Sequence, residues 1–320
     1  MDNQTVCGRF APTPSGRMHL GNAFAALLAW LDVRSVGGRL VLRIEDLDTS
    51  RCSAEKAAQV LADMRWLGLD WDEGGLLNGE LNSDYRQSRR TGHYQQAFAK
   101  LAAKGLIYPC FCSRAERMAA NAPHREDGAV VYDGRCRKLS AEEQAGLAAE
   151  GCKPAWRIQT PDEVISLTDC NLGYFAQNLA ADCGDFILRR SDGVFAYQLA
   201  VVVDDMAMGV NRVVRGKDLL TSTPQQIWLH RLLGGDPPQY CHVPLLLAED
   251  GKRLAKRDKA LDLGEISSRH TAAEVVGLLA WWAGLLTEPV PITAAELAAD
   301  FEWRRVAKQD IVAKLPANWL

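Results

Sequence analysis

The chain has 320 residues, of which 48% are hydrophobic and 24% charged, with a formal net charge of −3. That size allows about two domains with a normal core, so neither a disulfide nor a metal is needed merely to fold. No run reaches the roughly 18 apolar residues of a membrane span, residues 1–9 lack the basic and apolar regions of a secretory signal, and the expectation is a cytoplasmic protein with no membrane contact.

In chain order, "VCGRFA" reads as a short strand. Residues 19–35 place Leu20, Phe24, Leu27, Leu28 and Leu31 at helical spacing, and Gly37-Gly38 stops that helix. "RLVLRIED" then alternates, with Leu40, Leu42 and Ile44 on one face, which predicts a strand. A strand, a helix and a strand in succession imply a parallel sheet. Helices are expected at 53–68 and 84–104. Residues 108–138 break the pattern, and Ser140 with Glu143 forms a capping box for the next helix. "DFILRRSDGVFAYQLAVVVDD" reads as two strands around Ser-Asp-Gly. Thr223-Pro224-Gln225-Gln226 opens a helix that Gly234 ends. Beyond residue 260 the chain turns helical and alanine-rich, with capping boxes at Thr271/Glu274 and Thr293/Glu296. There is no repeat. The basic runs "RQSRR" (86–90) and "KRLAKRDK" (252–259) each read either as a solvated face or as a phosphate-binding patch.

Three stretches carry chemistry. "APTPSGRMHLGN" (11–22) joins a strand to a helix N-terminus, where unpaired N–H groups and the helix dipole favour an anion. His19 and Asn22 share one face of the first turn as hydrogen-bond donors, and Gly21 permits close approach of a ligand to the backbone. "EDGKRLAKRD" (249–258) groups Lys252, Arg253, Lys256 and Arg257 after a glycine, a basic loop suited to a triphosphate. Third, Cys110, Cys112 and Cys136 are three thiols of a Cys₃ metal set, with His124 between them as a fourth ligand by spacing alone. Cys7, Cys52, Cys152, Cys170, Cys183 and Cys241 stand singly and read as buried small hydrophobes.

"PSGRMHLGN" and "KRLAKR" resemble the two signature motifs of class I aminoacyl-tRNA synthetases. "GRFAPTPSGRMHLGN", "LRIEDLDTSR", "YQLAVVVDD" and "VVRGKDLLTSTPQQIWLHRLLG" resemble, in order, the glutamyl-tRNA synthetase catalytic core, over about residues 8–260. The chain stops soon after the basic loop, where full-length relatives continue into an anticodon-binding domain. It also has Val201 where they typically carry Asn. These features make the resemblance nearest to the truncated branch of glutamyl-queuosine tRNA(Asp) synthetases.

The resemblance implies an α/β Rossmann-type catalytic core with a parallel sheet, a zinc-containing insertion and a short helical tail. Its parts would be 1–107 and 141–260 for the two halves of the core, 108–140 for the zinc excursion and 261–320 for the tail. It implies a ligase that activates L-glutamate with ATP and Mg²⁺, without tRNA, and transfers it to queuosine in the tRNA(Asp) anticodon, with no obligate protein partner evident. His19 and Lys256 would be catalytic, and His19, Gly21, Asn22, Arg253 and Lys256 would bind ATP. Asn22, Arg253 and Ala255 depart from the motifs, replacing a histidine, a lysine and a serine. Glutamate would lie among Arg9, Phe10, Ala11, Pro12, Thr13, Glu45, Tyr197 and Arg215. Arg9 and Arg215 offer forks for its carboxylates, and Glu45 a charge for its ammonium. The family pattern makes Tyr132, rather than His124, the partner of Cys110, Cys112 and Cys136 on one structural zinc. Two other readings stand: a short glutamyl-tRNA synthetase charging a tRNA 3′ end, and a non-catalytic tRNA-binding paralogue.

Overall fold

The computed structural model describes residues 5–113, 131–251, 262–316 and 319. β1 (Cys7–Phe10) is buried throughout and leads through the proline-rich loop into α1 (Leu20–Arg34). His19 is the N-cap of α1. Its Nδ1 accepts the Gly21 N–H at 3.1 Å, and the Asn22 Oδ1 accepts the His19 N–H at 3.4 Å. An imidazole thus does the work usually given to a serine or aspartate. The chain returns along β2 (Arg39–Leu42), parallel to β1, with Phe10 opposite Leu42.

α2 (Ala54–Trp66) and β3 (Glu73–Gly74) follow, then α3 (Thr91–Ala103). The helix expected from residue 84 starts at 91. Before it, Ser83–Tyr85 and Gln87–Arg89 are single 3₁₀ turns that aim Gln87 and Arg90 at Asp204, at 2.8 and 2.6 Å. In the run 86–90 Arg86 binds Asp46 at 2.9 Å and Arg90 is buried, while Arg89 is exposed.

β4 (Ile107–Cys110) precedes α4 (Ala141–Ala149), which opens on the expected Ser140/Glu143 box. β5 (Ala155–Ile158), the hairpin β6 (Val164–Asp169) and β7 (Gly173–Asn178), and β8 (Phe186–Arg189) come next. β4, β5 and β8 form a separate antiparallel sheet with β5 in the middle. The second strand expected after Ser191-Asp192-Gly193 is a helix, α5 (Tyr197–Ala207). Phe195 bridges back to Arg189, but the chain then coils. A run such as Val201–Val203 suits a strand as well as a helix. Tertiary contacts decide, because helical geometry buries Leu199, Ala200 and Val202 and delivers Asp204 to Arg90 and Tyr94.

β9 (Arg212–Gly216), α6 (Thr223–Leu233) and β10 (Gln239–Val243) complete the main sheet. Pro224 sits in the first turn of α6 and Gly234 closes it at φ 86°. The sheet has five strands in the order β10-β9-β1-β2-β3, all parallel. Leu40, Leu42 and Ile44 face α1, as their spacing predicts, whereas Cys7, Val41 and Val213 face α3, α5 and α6. Both faces are covered, which is how a parallel sheet is stabilised.

After β11 (Leu246–Leu247) come α7 (Leu263–Ser267), α8 (Ala272–Ala283), α9 (Ala294–Ala298) and β12 (Ile311–Val312). Both threonine capping boxes form. This segment shares the core of α1: Val275, Leu278 and Leu279 pack in one cluster with Leu27 and Leu31, β12 pairs with β11, and the Trp303 indole donates to Asp32 at 2.6 Å. Among the described residues, no helix is long and apolar enough to cross a membrane.

Two expectations about cysteines need correction. Cys170 and Cys241 are joined by a disulfide across 71 residues, because the end of β6 runs beside β10 and the Cys170 N–H donates to the Tyr240 carbonyl at 2.9 Å. Cys152 is exposed on the turn after α4, and Cys52 and Cys183 are only half-buried; Cys7 is buried as expected.

Candidate active site

In the strand order β10-β9-β1-β2-β3, chain connections leave β1 in opposite directions on its two sides, and ligands of such sheets bind beyond the strand C-termini at that point. A cleft of about 480 Å³ lies there. It is lined by Arg9, Phe10, Ala11, Pro12 and Thr13 from the end of β1, by His19, Gly21 and Asn22 from the start of α1, and by Glu45, Tyr197 and Arg215. Pairing continues past β1 and β2, with the Arg43 N–H on the Phe10 carbonyl at 3.1 Å and the Glu45 N–H on the Pro12 carbonyl at 3.0 Å. That pairing carries Glu45 to the rim of the proline-rich loop.

With Nδ1 accepting from Gly21, the neutral His19 ring carries its proton on Nε2 and presents a donor there. Gly21 has a tighter role than ligand access. A Cβ at that position would meet the His19 Cε1 at 2.9 Å and Nδ1 at 3.0 Å, so a side chain there would displace the ring.

Arg9 and Arg215 are each 5% exposed. Arg9 donates from Nη1 to the Val214 carbonyl at 2.8 Å, and its Nε has no partner among the described residues. Burial lowers the pKa of Arg9, with Asp205 opposing. Arg215 donates from Nε to the His242 Nε2 at 3.1 Å, from Nη1 to Gln226 at 2.7 Å and Tyr197 at 3.3 Å, and from Nη2 to Thr223 at 2.8 Å and the Leu219 carbonyl at 3.4 Å. Each of those acceptors is uncharged. Glu45 accepts from Arg43 at 3.2 Å, and burial raises its pKa against the pull of Arg43 and Arg9. Asp46, beside it, is a plain ion pair with Arg86. Burial raises the pKa of Tyr197, so its phenol stays protonated.

A second cluster lies at the end of β4. The Sγ atoms of Cys110, Cys112 and Cys136 lie within 4.8 Å of one another. The Tyr132 Oη is 3.5 Å from the Sγ of Cys110 and of Cys112, and accepts the Cys136 N–H at 3.1 Å. Arg157 donates to the Cys110 sulfur at 3.2 Å and stacks on the Tyr132 ring at 3.8 Å, and Arg135 donates to the Cys112 sulfur at 3.0 Å. Three soft sulfurs and one oxygen, backed by two guanidiniums, suit a tetrahedral divalent ion such as zinc.

The family of tRNA synthetases class I (E and Q), catalytic domain, matches residues 5–271. The chain belongs to this family. It is 50% identical to the Glutamyl-Q tRNA(Asp) synthetase of Symbiobacterium thermophilum, over 98% of this chain and 97% of that protein. It is also 50% identical to that of Nitratidesulfovibrio vulgaris, over 89% of each. Among solved structures, the glutamate-tRNA synthetase of Elizabethkingia anophelis is similar at a TM-score of 0.81 and 27% identity, over 99% of this chain and 69% of that one. The glutamate tRNA ligase of Elizabethkingia meningosepticum, in complex with its amino acid, gives 0.79 and 26%, over 97% of this chain and 67% of that one. The class I synthetase fold with its parallel sheet is thus the one its motifs imply.

The cleft of this class I chain brings together every expected residue that is described on the glutamate side, together with His19, Gly21 and Asn22. Lys252, Arg253, Ala255, Lys256 and Arg257 of the basic run, and His124, lie outside the described residues. Asp262, which follows that run, bridges to His19, and the Leu263 N–H donates to the Met18 carbonyl at 3.0 Å. Sequence reasoning missed Asp169, His242, Thr223 and Gln226, the polar groups behind Arg215. Thr223 and Gln226 had shown only as the start of a helix, and His242 is a lone histidine in the apolar stretch "YCHVP".

Proposed function

We propose that this chain activates L-glutamate with ATP and transfers it to the queuosine of tRNA(Asp). The observation that carries the acceptor is the 50% identity, over nearly the whole of both chains, to a protein named for that reaction. The cleft supports the amino acid: two buried guanidiniums for two carboxylates, and Glu45 for the ammonium.

The α-carboxylate of glutamate is ionised at neutral pH and needs no general base. One of its oxygens bonds to the α-phosphorus of MgATP, and pyrophosphate leaves with the electron pair of the broken P–O bond. The work of the protein is alignment and stabilisation of charge on the phosphate oxygens. The N-terminus of α1 and the His19 Nε2–H supply donors on one side of the cleft. Lys256 and Arg253 would supply cations; Asp262, three residues beyond the basic run in sequence, bridges to His19. A hydroxyl of the queuosine cyclopentenediol then attacks the glutamyl carbonyl, loses its proton, and AMP departs. Radiolabelled glutamate is expected on queuosine-containing tRNA(Asp) and not on the unmodified transcript. Label at the 3′ end of tRNA(Glu), or equal label on unmodified tRNA(Asp), overturns the acceptor and favours the short glutamyl-tRNA synthetase reading.

Cys110, Cys112, Tyr132 and Cys136 would hold one structural zinc, which ties the end of β4 to the 3₁₀ turn at Arg135–Lys138. Elemental analysis should find about one zinc per chain. Cys136→Ser should remove most of it, and His124→Ala should leave it in place. Loss of zinc from His124→Ala would replace Tyr132 as the fourth ligand.

A further inference from the structure

Among the described residues, the hydrogen-bond partners of the buried Arg215 cation are all neutral, and the carboxylate of Asp169 stands one ring behind it. β9 and β10 are paired so that Arg215 lies opposite His242. The Arg215 Nε always carries a proton, so the His242 Nε2, 3.1 Å away, must offer a lone pair. The ring proton therefore sits on Nδ1, which donates to the Asp169 Oδ2 at 2.6 Å. Asp169 is itself held in one orientation. Its Oδ1 accepts the N–H groups of Asn171 at 3.0 Å, Leu172 at 2.9 Å and His242 at 3.1 Å. Asp169 and His242 are fully buried at the hydrogen-bonding atoms, and each is chain neighbour to one half of the Cys170–Cys241 disulfide.

We propose that Asp169 and His242 are positioning residues for amino-acid recognition: the carboxylate fixes the imidazole tautomer, and the imidazole fixes the guanidinium of Arg215. This rests on the reading of Arg215 as a glutamate ligand and adds how that ligand is kept ready. A carboxylate placed directly on Arg215 would hold it as firmly, but would take up the charge that the substrate needs. The imidazole transmits orientation while leaving the cation without an anionic partner of its own. Thr223 completes the cradle, accepting from the Arg215 Nη2 at 2.8 Å and lying 3.2 Å from the His242 Nε2. Burial disfavours charge on both members of the dyad. In His242 it holds the ring neutral, while the bonds from His242 and the backbone keep the carboxyl of Asp169 ionised.

ATP–pyrophosphate exchange without tRNA, on the full chain, tests this. His242→Leu should raise KM for glutamate at least tenfold while KM for ATP stays within twofold. His242→Gln, whose Oε1 offers the Arg215 Nε–H an acceptor, should recover most of that loss. Asp169→Asn is the sharper variant. Its oxygen can keep the backbone bonds, but its NH₂ then faces Nδ1, drives the ring proton to Nε2 and sets it against the Arg215 Nε–H. It should therefore raise KM for glutamate as His242→Leu does. A purely structural role predicts a lower Tm and a smaller active fraction, with KM for glutamate unchanged in Asp169→Asn. That result, or a His242→Gln no better than His242→Leu, overturns the proposal. Failure of the underlying reading shows separately, as an Arg215→Ala protein with the parent's KM for glutamate.

Discussion

Arg215→Ala is expected to lower kcat/KM for glutamate in ATP–pyrophosphate exchange by more than a hundredfold. The guanidinium is 5% exposed, and the carboxylate it would meet is desolvated with it. Removing one partner of such a pair costs about 3–5 kcal/mol, and about 1.4 kcal/mol is a decade in rate. Arg215→Lys should fail almost as badly. All five N–H groups of Arg215 have acceptors, in His242, Gln226, Tyr197, Thr223 and the Leu219 carbonyl; a bound carboxylate would displace the two longest bonds, to Tyr197 at 3.3 Å and to Leu219 at 3.4 Å, and an ammonium offers only three donors at a different place. Glutamine should be a poor substrate for the parent, because its NH₂ would face a guanidinium donor. Exchange by the alanine variant at the parent's rate removes Arg215 from the glutamate pocket.

Asp204→Ala is expected to lower the free energy of unfolding by about 3–5 kcal/mol, a large share of the roughly 5–15 kcal/mol a protein has. Asp204 is fully buried and accepts from Gln87 at 2.8 Å, Arg90 at 2.6 Å and Tyr94 at 2.9 Å. Without it those donors lose a common acceptor, and Arg43, also fully buried, loses an ion-pair partner at 3.8 Å. Arg43 in turn holds Glu45 at 3.2 Å, so the damage reaches the cleft. Denaturant unfolding of the variant measures it. A shift within the roughly 0.5 kcal/mol of an ordinary surface substitution would mean that the network contributes little. Asp204→Asn should cost less, since its oxygen keeps part of the set.

What was legible in the sequence was local. The boxes at Ser140, Thr271 and Thr293, and the glycine after α6, each lie within a few residues of the helix they bound, whereas His19, read only as a ligand donor, is also the cap of α1. The parallel sheet followed from one strand–helix–strand unit. The residues expected on glutamate came from family motifs, and Arg9, Phe10, Tyr197 and Arg215 among them sit at or near a strand C-terminus or a helix N-terminus. The rest was carried by distant contacts. Val201–Val203 has no periodicity that separates strand from helix, and Asp204, the residue whose partners decide it, is bound by Gln87 and Arg90 from more than 100 residues away. The same holds for the cradle of Arg215, since Asp169 and His242 are 73 residues apart. The disulfide beside them spans 71. A basic-looking run at 86–90 misled because two of its three charges, Arg86 and Arg90, are taken up by Asp46 and Asp204, which composition does not record.

The position of β1 has a consequence for biosynthesis. It precedes the other strands of the sheet in sequence and is the central one, bonded to β2 on one edge and to β9 on the other. The Cys7 N–H reaches its acceptor, the Asn211 side chain, only across 204 residues. At ribosomal speeds of about 5–20 residues per second, that edge waits roughly 10 to 40 s for its partner. Throughout that interval a nascent chain holds β1, α1 and β2 with one bare parallel edge, and with a face of α1 that α8 covers only later. Until β9 is made, that edge is open to pairing with another chain.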